Sequence, residues 1–343
     1  MSNHLNRALQ SWHALAGNVG VRRLYLVLIA TLLLAIPKLI GSDYWIRIVD
    51  LAGLYALMAL GYNVMLGYTG LFNLGFAAFF AIGAYTWALL ASPLHGMHLP
   101  FAVLFPLAGV VTAFISFLLG VPSLPLYGDY LGLVTLAFAE SLGILFNNLS
   151  FTNAAYGIID IDPISLPFFT FKTVRDYYYL ILLLCAIVYF GMKRLEESRI
   201  GRAWLAIRED EQAAMTTGVD TRRLKLLACA IGAVPVGLGG VIFAGMQTFI
   251  SPVSFSSRET WLILTMVIVG GRGSAAGAIL GALLLTILPE PLRGTPIESA
   301  RMLIYGLLLI FFALFRPGGV LPRRYWAHEG ERAEGLIEEA SDR

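Results

Sequence analysis

Apolar runs of roughly 15 to 26 residues recur along almost the whole chain, and each approaches the roughly 20 residues a helix needs to cross hydrocarbon. A soluble core cannot hide so many. Charged residues make up 13% of the chain, about half the usual share of a soluble domain at roughly 25%. The expected fold is therefore all-α: a polytopic helical membrane protein with about ten transmembrane or partly inserted helices. Spans are placed at about 24–40, 46–66, 76–92, 101–122, 130–149, 177–194, 224–249, 258–271, 275–290 and 299–315. The pair 258–271 and 275–290 is short, so it reads as tilted, half-inserted, or a helical hairpin buried in protein. Three regions result: a cytoplasmic segment 1–23, a transmembrane domain 24–322 with a cytoplasmic loop at 195–223, and a cytoplasmic tail 323–343.

Lysine and arginine decide the orientation, because cytoplasmic loops hold their excess. With the N-terminus inside, 17 of the 24 basic residues fall on the inner side, eight of them between 193 and 225. Both termini are expected in the cytoplasm. Arg7, Arg22 and Arg23 precede the apolar stretch Leu24–Pro37, but no small-x-small cleavage site follows, so a retained first helix is expected. Net charge is +2, with the basic residues at membrane edges and in one loop, which excludes a nucleic-acid stripe. Cys185 and Cys229 each sit inside an apolar run without CxxC or histidine spacing, so neither a disulfide nor a metal is expected. His95 and His98 are read as surface residues.

The connection Ser150–Asp176 carries Asp160, Asp162, Pro163 and Pro167, which suggests an ordered external cap and a docking place for an external partner. Tyr177-Tyr178-Tyr179 after it read as an interfacial aromatic belt. The tail from Glu329 is polar, mixed in charge and too poor in apolar residues to pack alone.

The 195–223 loop reads as two short helices meeting at a turn. Acidic Glu209, Asp210 and Glu211 precede Gln212-Ala213-Ala214, where the dipole favours a helix start, and Gly218 suits a left-handed stop. Small Ala213 and Ala214 would let a partner surface approach closely. Further upstream, Gly67-Tyr68-Thr69-Gly70-Leu71-Phe72-Asn73-Leu74-Gly75 lies between two spans, and its glycines and Asn73 suggest backbone leaving regular helix at membrane depth. Such backbone survives where it is buried or lines a cavity, and broken helices often form substrate sites. Glycines and alanines in 76–85 serve close helix packing instead. Glu140 lies inside a span, where an ionisable group is costly and needs water or a protein partner; a pathway residue and a paired carboxyl remain equal readings. Asp129 is read as a helix N-cap.

These segments carry a resemblance. Gln212-Ala213-Ala214, three residues and Gly218 reproduce the spacing of the EAA loop of ABC importer permeases, with Gln212 where glutamate is usual. Residues 67–85, Gly128-Asp129-Tyr130 through Glu140, Ser198-Arg199-Ile200-Gly201-Arg202, Val269-Gly270-Gly271-Arg272-Gly273-Ser274, Leu288-Pro289-Glu290 and Phe315-Arg316-Pro317-Gly318-Gly319 resemble the branched-chain amino acid permeases, most closely the LivM type, in the same order. The family's Gly-Pro-x-Gly-Ile stands here as Ala154-Ala155-Tyr156-Gly157-Ile158, and Tyr127 replaces a common arginine. The resemblance implies a permease subunit importing branched-chain or other apolar amino acids by alternating access, with Glu211, Gln212, Ala213, Ala214 and Gly218 coupling to the ATPase. Gly67, Thr69, Gly70, Asn73, Gly75 and Glu140 would belong to the substrate pathway.

It also implies the partners: a homologous second permease, two cytoplasmic ATPases, an external solute-binding protein and the bilayer. The sequence has no GxxxxGK[ST] phosphate loop, so ATP and Mg are expected to be used by the partner subunits and no cofactor by this chain. It has no HExxH or GxSxG either, so no catalytic residue is expected. Two alternatives stay open: a permease for urea or short-chain amides, and an ion-coupled secondary carrier.

Overall fold

The computed structural model describes residues 31–124, 126, 128–166, 169–293, 300–316 and 318–322. The first expected span lies partly, and the 323–343 tail wholly, outside them. The described residues fall into two units, one ending at Arg47 and one starting at Ile48. The first contains a helix over 31–39, and the second holds the helices that carry the candidate sites.

From residue 43 onward, eleven α-helices are described in order: α1 (Asp43–Tyr62, continued by one wide π-type stretch Asn63–Tyr68), α2 (Phe76–Leu90), α3 (Phe101–Ser123), α4 (Asp129–Asn148), α5 (Val174–Glu196), α6 (Arg199–Glu209), α7 (Glu211–Thr216), α8 (Thr221–Gln247), α9 (Ser257–Gly270), α10 (Ala275–Ile287) and α11 (Arg301–Phe315). A two-residue hairpin, β1 (Ser165–Leu166) with β2 (Phe169–Thr170), sits in the 150–176 connection. Among the described residues, five stretches are long and apolar enough to span a membrane: α1 with its extension, α3, α4, α5 and α8. The protein is a polytopic helical membrane protein.

Burial separates two kinds of helix. α1 and α8 bury most of their length, while α3, α4 and α5 bury one face only. Apolar side chains gain nothing by leaving lipid, so inner helices need close backbone contact, and small residues supply it. Gly83 of α2 faces Gly237 of α8 so closely that a Cβ on Gly83 would stand 1.9 Å from the Gly237 carbonyl oxygen. Gly61 of α1 likewise meets the Gly232 carbonyl at 2.4 Å. The packing role expected of 76–85 is what these contacts provide.

At 1.5 Å per residue, α9 and α10 reach only about 20 Å each, short of the roughly 30 Å hydrocarbon core. They pair through glycines: a Cβ on Gly281 would meet the Met266 carbonyl at 1.9 Å, and one on Gly270 the Gly277 carbonyl at 2.0 Å. The turn Gly271–Ser274 joins them, and Val320 N and Leu321 N donate to Val269 O and Gly270 O. The two helices thus pack against each other as a hairpin closed by the Gly271–Ser274 turn.

Three local expectations change or hold for physical reasons. Asp129 is the first helical residue of α4 and caps nothing; Gly128, at φ +56°, takes the cap position, because the sharp entry into α4 demands a positive φ. Tyr177 and Tyr178 are buried instead of forming a belt, and the Tyr177 hydroxyl donates to Gly245 O at 2.9 Å, giving its polar end a partner inside the protein. The described part of the 150–176 connection is tied to the end of α8: Ile158 pairs antiparallel with Ile250, and Ile161 N donates to Thr248 O. Gly157, at φ +74°, is required there, since a Cβ would lie 2.3 Å from Ile250 O.

Candidate coupling and pathway sites

The 195–223 loop folds as two helices, α6 and α7, joined at Asp210. The Asp210 carboxylate accepts from Gln212 N and Ala213 N at 2.8 and 3.0 Å, a cap of the kind that contributes about 1 kcal/mol. Gly218 comes next at φ +84° with open space around it, so its backbone form, and no contact, selects glycine. Trp204 fixes the unit to the membrane helices: fully buried, it packs with Val64, Tyr68, Met192, Ile207, Ala214 and Ala228 and donates its indole N–H to Leu224 O at 2.8 Å. Glu211 and Lys225 form an ion pair at 2.5 Å with most of both side chains covered.

The two alanines separate. Ala214 is buried in that cluster, so its methyl faces the chain's own interior and offers no surface for a partner. Gln212, Ala213, Met215 and Thr216 make up the outward side of α7.

The 67–75 segment leaves regular helix as expected, and it is buried apart from exposed Gly70 and half-buried Phe72. Thr69 Oγ1 donates to Met65 O at 2.6 Å and Leu71 N donates to the same carbonyl at 2.9 Å. Leu74 N reaches Thr135 Oγ1 on α4, Gly75 N the Asn73 side chain, and Ala77 N Thr260 Oγ1 on α9. Backbone that abandons helix in a water-poor interior must find such partners. Gly67 and Gly75 are glycines for want of room: a Cβ would meet Asn63 Oδ1 at 2.1 Å and Thr135 O at 2.9 Å. Asn73 borders a narrow crevice between α3, α4 and α8 with Ser116, Gly120 and Cys229.

Glu140 stands apart from these residues. It lies on the outward face of α4 with Tyr130, Leu133, Ala137, Ser141 and Ile144, and it makes no hydrogen bond or ion pair with a described residue. The outward faces of α3 (Val103, Val110, Phe114, Leu118), α5 (Leu183, Ile187, Phe190) and α11 (Leu303, Leu307, Phe311, Leu314) are apolar through their middle turns. A carboxylate at mid-helix makes α4 the exception.

Sequence reading missed Asn63, Thr260, Trp204, Lys225 and Arg208. Asn63, a lone amide in an apolar run, was the one with a signal; its side chain accepts from Gly273 N at 2.8 Å. Arg208 donates to Gly67 O, joining α6 to the wide turn that ends α1.

Comparison with known proteins places relatives along most of the chain. The family described as "Branched-chain amino acid transport system / permease component" matches residues 44–313. The "High-affinity branched-chain amino acid transport system permease protein LivM" of Escherichia coli (strain K12) is 38% identical over 333 residues, covering 90% of this chain and 77% of that protein. The "Probable branched-chain amino acid transport permease protein LivM" of Methanocaldococcus jannaschii is 26% identical, covering 79% of this chain and 91% of its own. The LivH permease protein of Escherichia coli (strain K12) is 27% identical over 296 residues, covering 80% and 93%. No solved structure matches. With most of its length matched, from α1 through α11, the chain is a transport subunit and belongs to the family of permease components of branched-chain amino acid transport systems.

Proposed function

We propose that this chain imports branched-chain or other apolar amino acids as the membrane-spanning subunit of an ATP-driven complex. It pairs with a homologous second permease, as the coexistence of LivM and LivH relatives in one organism supports. Of two ATPases, one docks on the outward side of α7 and the other on the second permease, and a solute-binding protein docks on the 150–176 connection. The observation that carries the reading is the α6–α7 unit, which is clamped to α1, α5 and α8 by Trp204 and the Glu211–Lys225 pair while presenting Gln212, Ala213 and Met215 outward.

ATP-driven approach of the two ATPases moves α7, and the permease pair switches between states open to opposite sides. This requires two arrangements of the helices whose balance is biased by nucleotide on one side and by loaded binding protein on the other. Gly67, Thr69, Gly70, Asn73 and Gly75 shape the moving wall of the pathway, and Glu140 lies along it. Both termini sit in the cytoplasm, where reporter fusions after Arg323 should be active.

Reconstitution of all subunits in proteoliposomes tests the reading: labelled leucine should accumulate only with ATP, ATPases and loaded binding protein together. Accumulation driven by a proton or sodium gradient with the ATPases left out would establish the carrier reading. Accumulation of urea or a short-chain amide in preference to leucine would move the substrate class.

A further inference from the structure

We propose that Arg208 carries movement of the α6–α7 unit into the broken stretch that ends α1, by its hold on the Gly67 carbonyl. The proposal rests on the reading of α7 as the ATPase-docking helix. Arg208 lies in the last turn of α6, two residues before the Asp210 that caps α7, so it stands at the joint between the two helices. Its guanidinium donates to Gly67 O, the next-to-last carbonyl of the wide stretch Asn63–Tyr68. An arginine suits this task because its planar, permanently charged fork keeps direction while it moves.

The segment around Gly67 is tied onward in three directions, through Asn63 before it and Leu74 and Ala77 after it. Asn63 of the same stretch accepts from Gly273 N at 2.8 Å, which reaches the α9–α10 hairpin. Leu74 N, seven residues on, is held by Thr135 at 2.9 Å, which reaches α4 and the helix that carries Glu140. Ala77 N is held by Thr260 at 2.9 Å, which reaches the first turn of α9 from the start of α2. Displacing the Gly67 carbonyl therefore pulls on three helices at once.

Two features make this stretch able to move and not merely to hold. π-type turns carry one residue more than an α-turn, and they are frequent at functional sites. Gly70 beside it is at φ +72°, and a Cβ there would come within 3.2 Å of Arg208 Cγ, so the glycine keeps the space the arginine sweeps. The fully buried Trp204 anchors the middle of α6, so that α6 acts as a lever with Arg208 towards its tip.

The test uses the full complex in proteoliposomes with Arg208→Gln and Arg208→Lys. Three quantities are read: ATPase subunits retained on purification, ATP hydrolysis stimulated by loaded binding protein, and leucine moved per ATP. Arg208→Gln should keep the ATPases and the hydrolysis but lower leucine moved per ATP by about tenfold, the scale of one charge-assisted hydrogen bond. Arg208→Lys, which can still donate to Gly67 O, should recover much of that loss. An unchanged ratio, a proportional fall of hydrolysis and transport, or loss of the ATPases would each overturn the proposal. Should Arg208→Gln fail to assemble, Gly70→Ala presses on the same contact from the other side and should uncouple likewise; full coupling in that variant overturns the proposal. Ala213→Trp tests the underlying reading separately: ATPases held at wild-type strength would remove α7 as the docking helix, whatever Arg208 does.

Discussion

Lys225 Nζ lies 2.5 Å from Glu211 Oε1 and ties the start of α8 to the first turn of α7. Lys225 keeps 7% of its side chain in solvent and Glu211 keeps 19%, so removing either one takes an ion-pair contact from a largely covered charge. Buried pairs broken in this way cost about 3–5 kcal/mol, and the partial exposure of Glu211 points to the lower end. Glu211→Leu or Lys225→Met alone should loosen α7 by about 3 kcal/mol and weaken ATPase retention, while the double variant should recover most of both. Thermal unfolding of the purified permease pair and co-purification of the ATPases read the two effects. A double variant no better than the singles would show that the pair contributes nothing beyond its separate side chains.

The alanines of α7 make a second prediction, because one faces inward and the other outward. Ala214→Trp has to enter the Trp204 cluster, where overpacking costs about 1–3 kcal/mol, so its first effect should be a lowered melting temperature of the permease itself. Ala213→Trp should leave melting unchanged and release the ATPases. Gly218→Val strains a backbone at φ +84° by about 1–3 kcal/mol with no contact to blame, and should resemble Ala214→Trp more than Ala213→Trp. Equal melting temperatures for both tryptophan variants would contradict the placement of Ala214.

What could be read in the chain and what could not divide along one line. The long apolar helices were legible because lipid imposes a length on an apolar run, and five of the expected spans coincide with helices long and apolar enough to cross a membrane among the described residues. The α6–Asp210–α7 joint was legible because capping, helix start and left-handed stop all lie close together in the chain. The inward turn of Ala214 was not, since it is set by Trp204 and Ala228, which the local pattern cannot place. The Arg208–Gly67 and Gly273–Asn63 bonds join residues 141 and 210 positions apart, and nothing periodic announces such a pair. Asp129 misled because its side chain fits a cap, while the chain's direction at Gly128 had already settled the matter.

Ala154 carries a third prediction. Its φ is +50°, after Asn153 at +61°. A left-handed alanine costs roughly 1–2 kcal/mol, and replacing it by glycine returns that amount less up to about 1 kcal/mol of extra chain entropy in the unfolded state. Ala154→Gly should therefore stabilise the 150–176 connection by no more than about 1 kcal/mol, visible as slower hydrogen exchange at Ile158 and Ile161. Faster exchange there would mean that the alanine methyl makes a contact worth more than its strain.

Glu140 supports the last prediction. An ionised carboxylate at the centre of a span costs about 2.5–3.5 kcal/mol against lipid on insertion scales, so a chain that leaves one on an outward face places that face against water or protein. Ser141 and Ala137 beside it are small, although Tyr130, Leu133 and Ile144 on the same face are large, and Glu140 is what sets this face apart from the outward faces of α3, α5 and α11. Glu140→Gln keeps the shape and removes the charge. It should assemble normally with the second permease and lower uptake by about tenfold if the carboxylate helps solute along the path, a loss equal to about 1.4 kcal/mol. Glu140→Leu then separates the remaining cases. A leucine variant that melts higher and transports as wild type would put the face against lipid after all, whereas one that no longer holds the second permease would make Glu140 a contact between the two permeases. Reduced uptake in an intact assembly, for both variants, places Glu140 on the pathway.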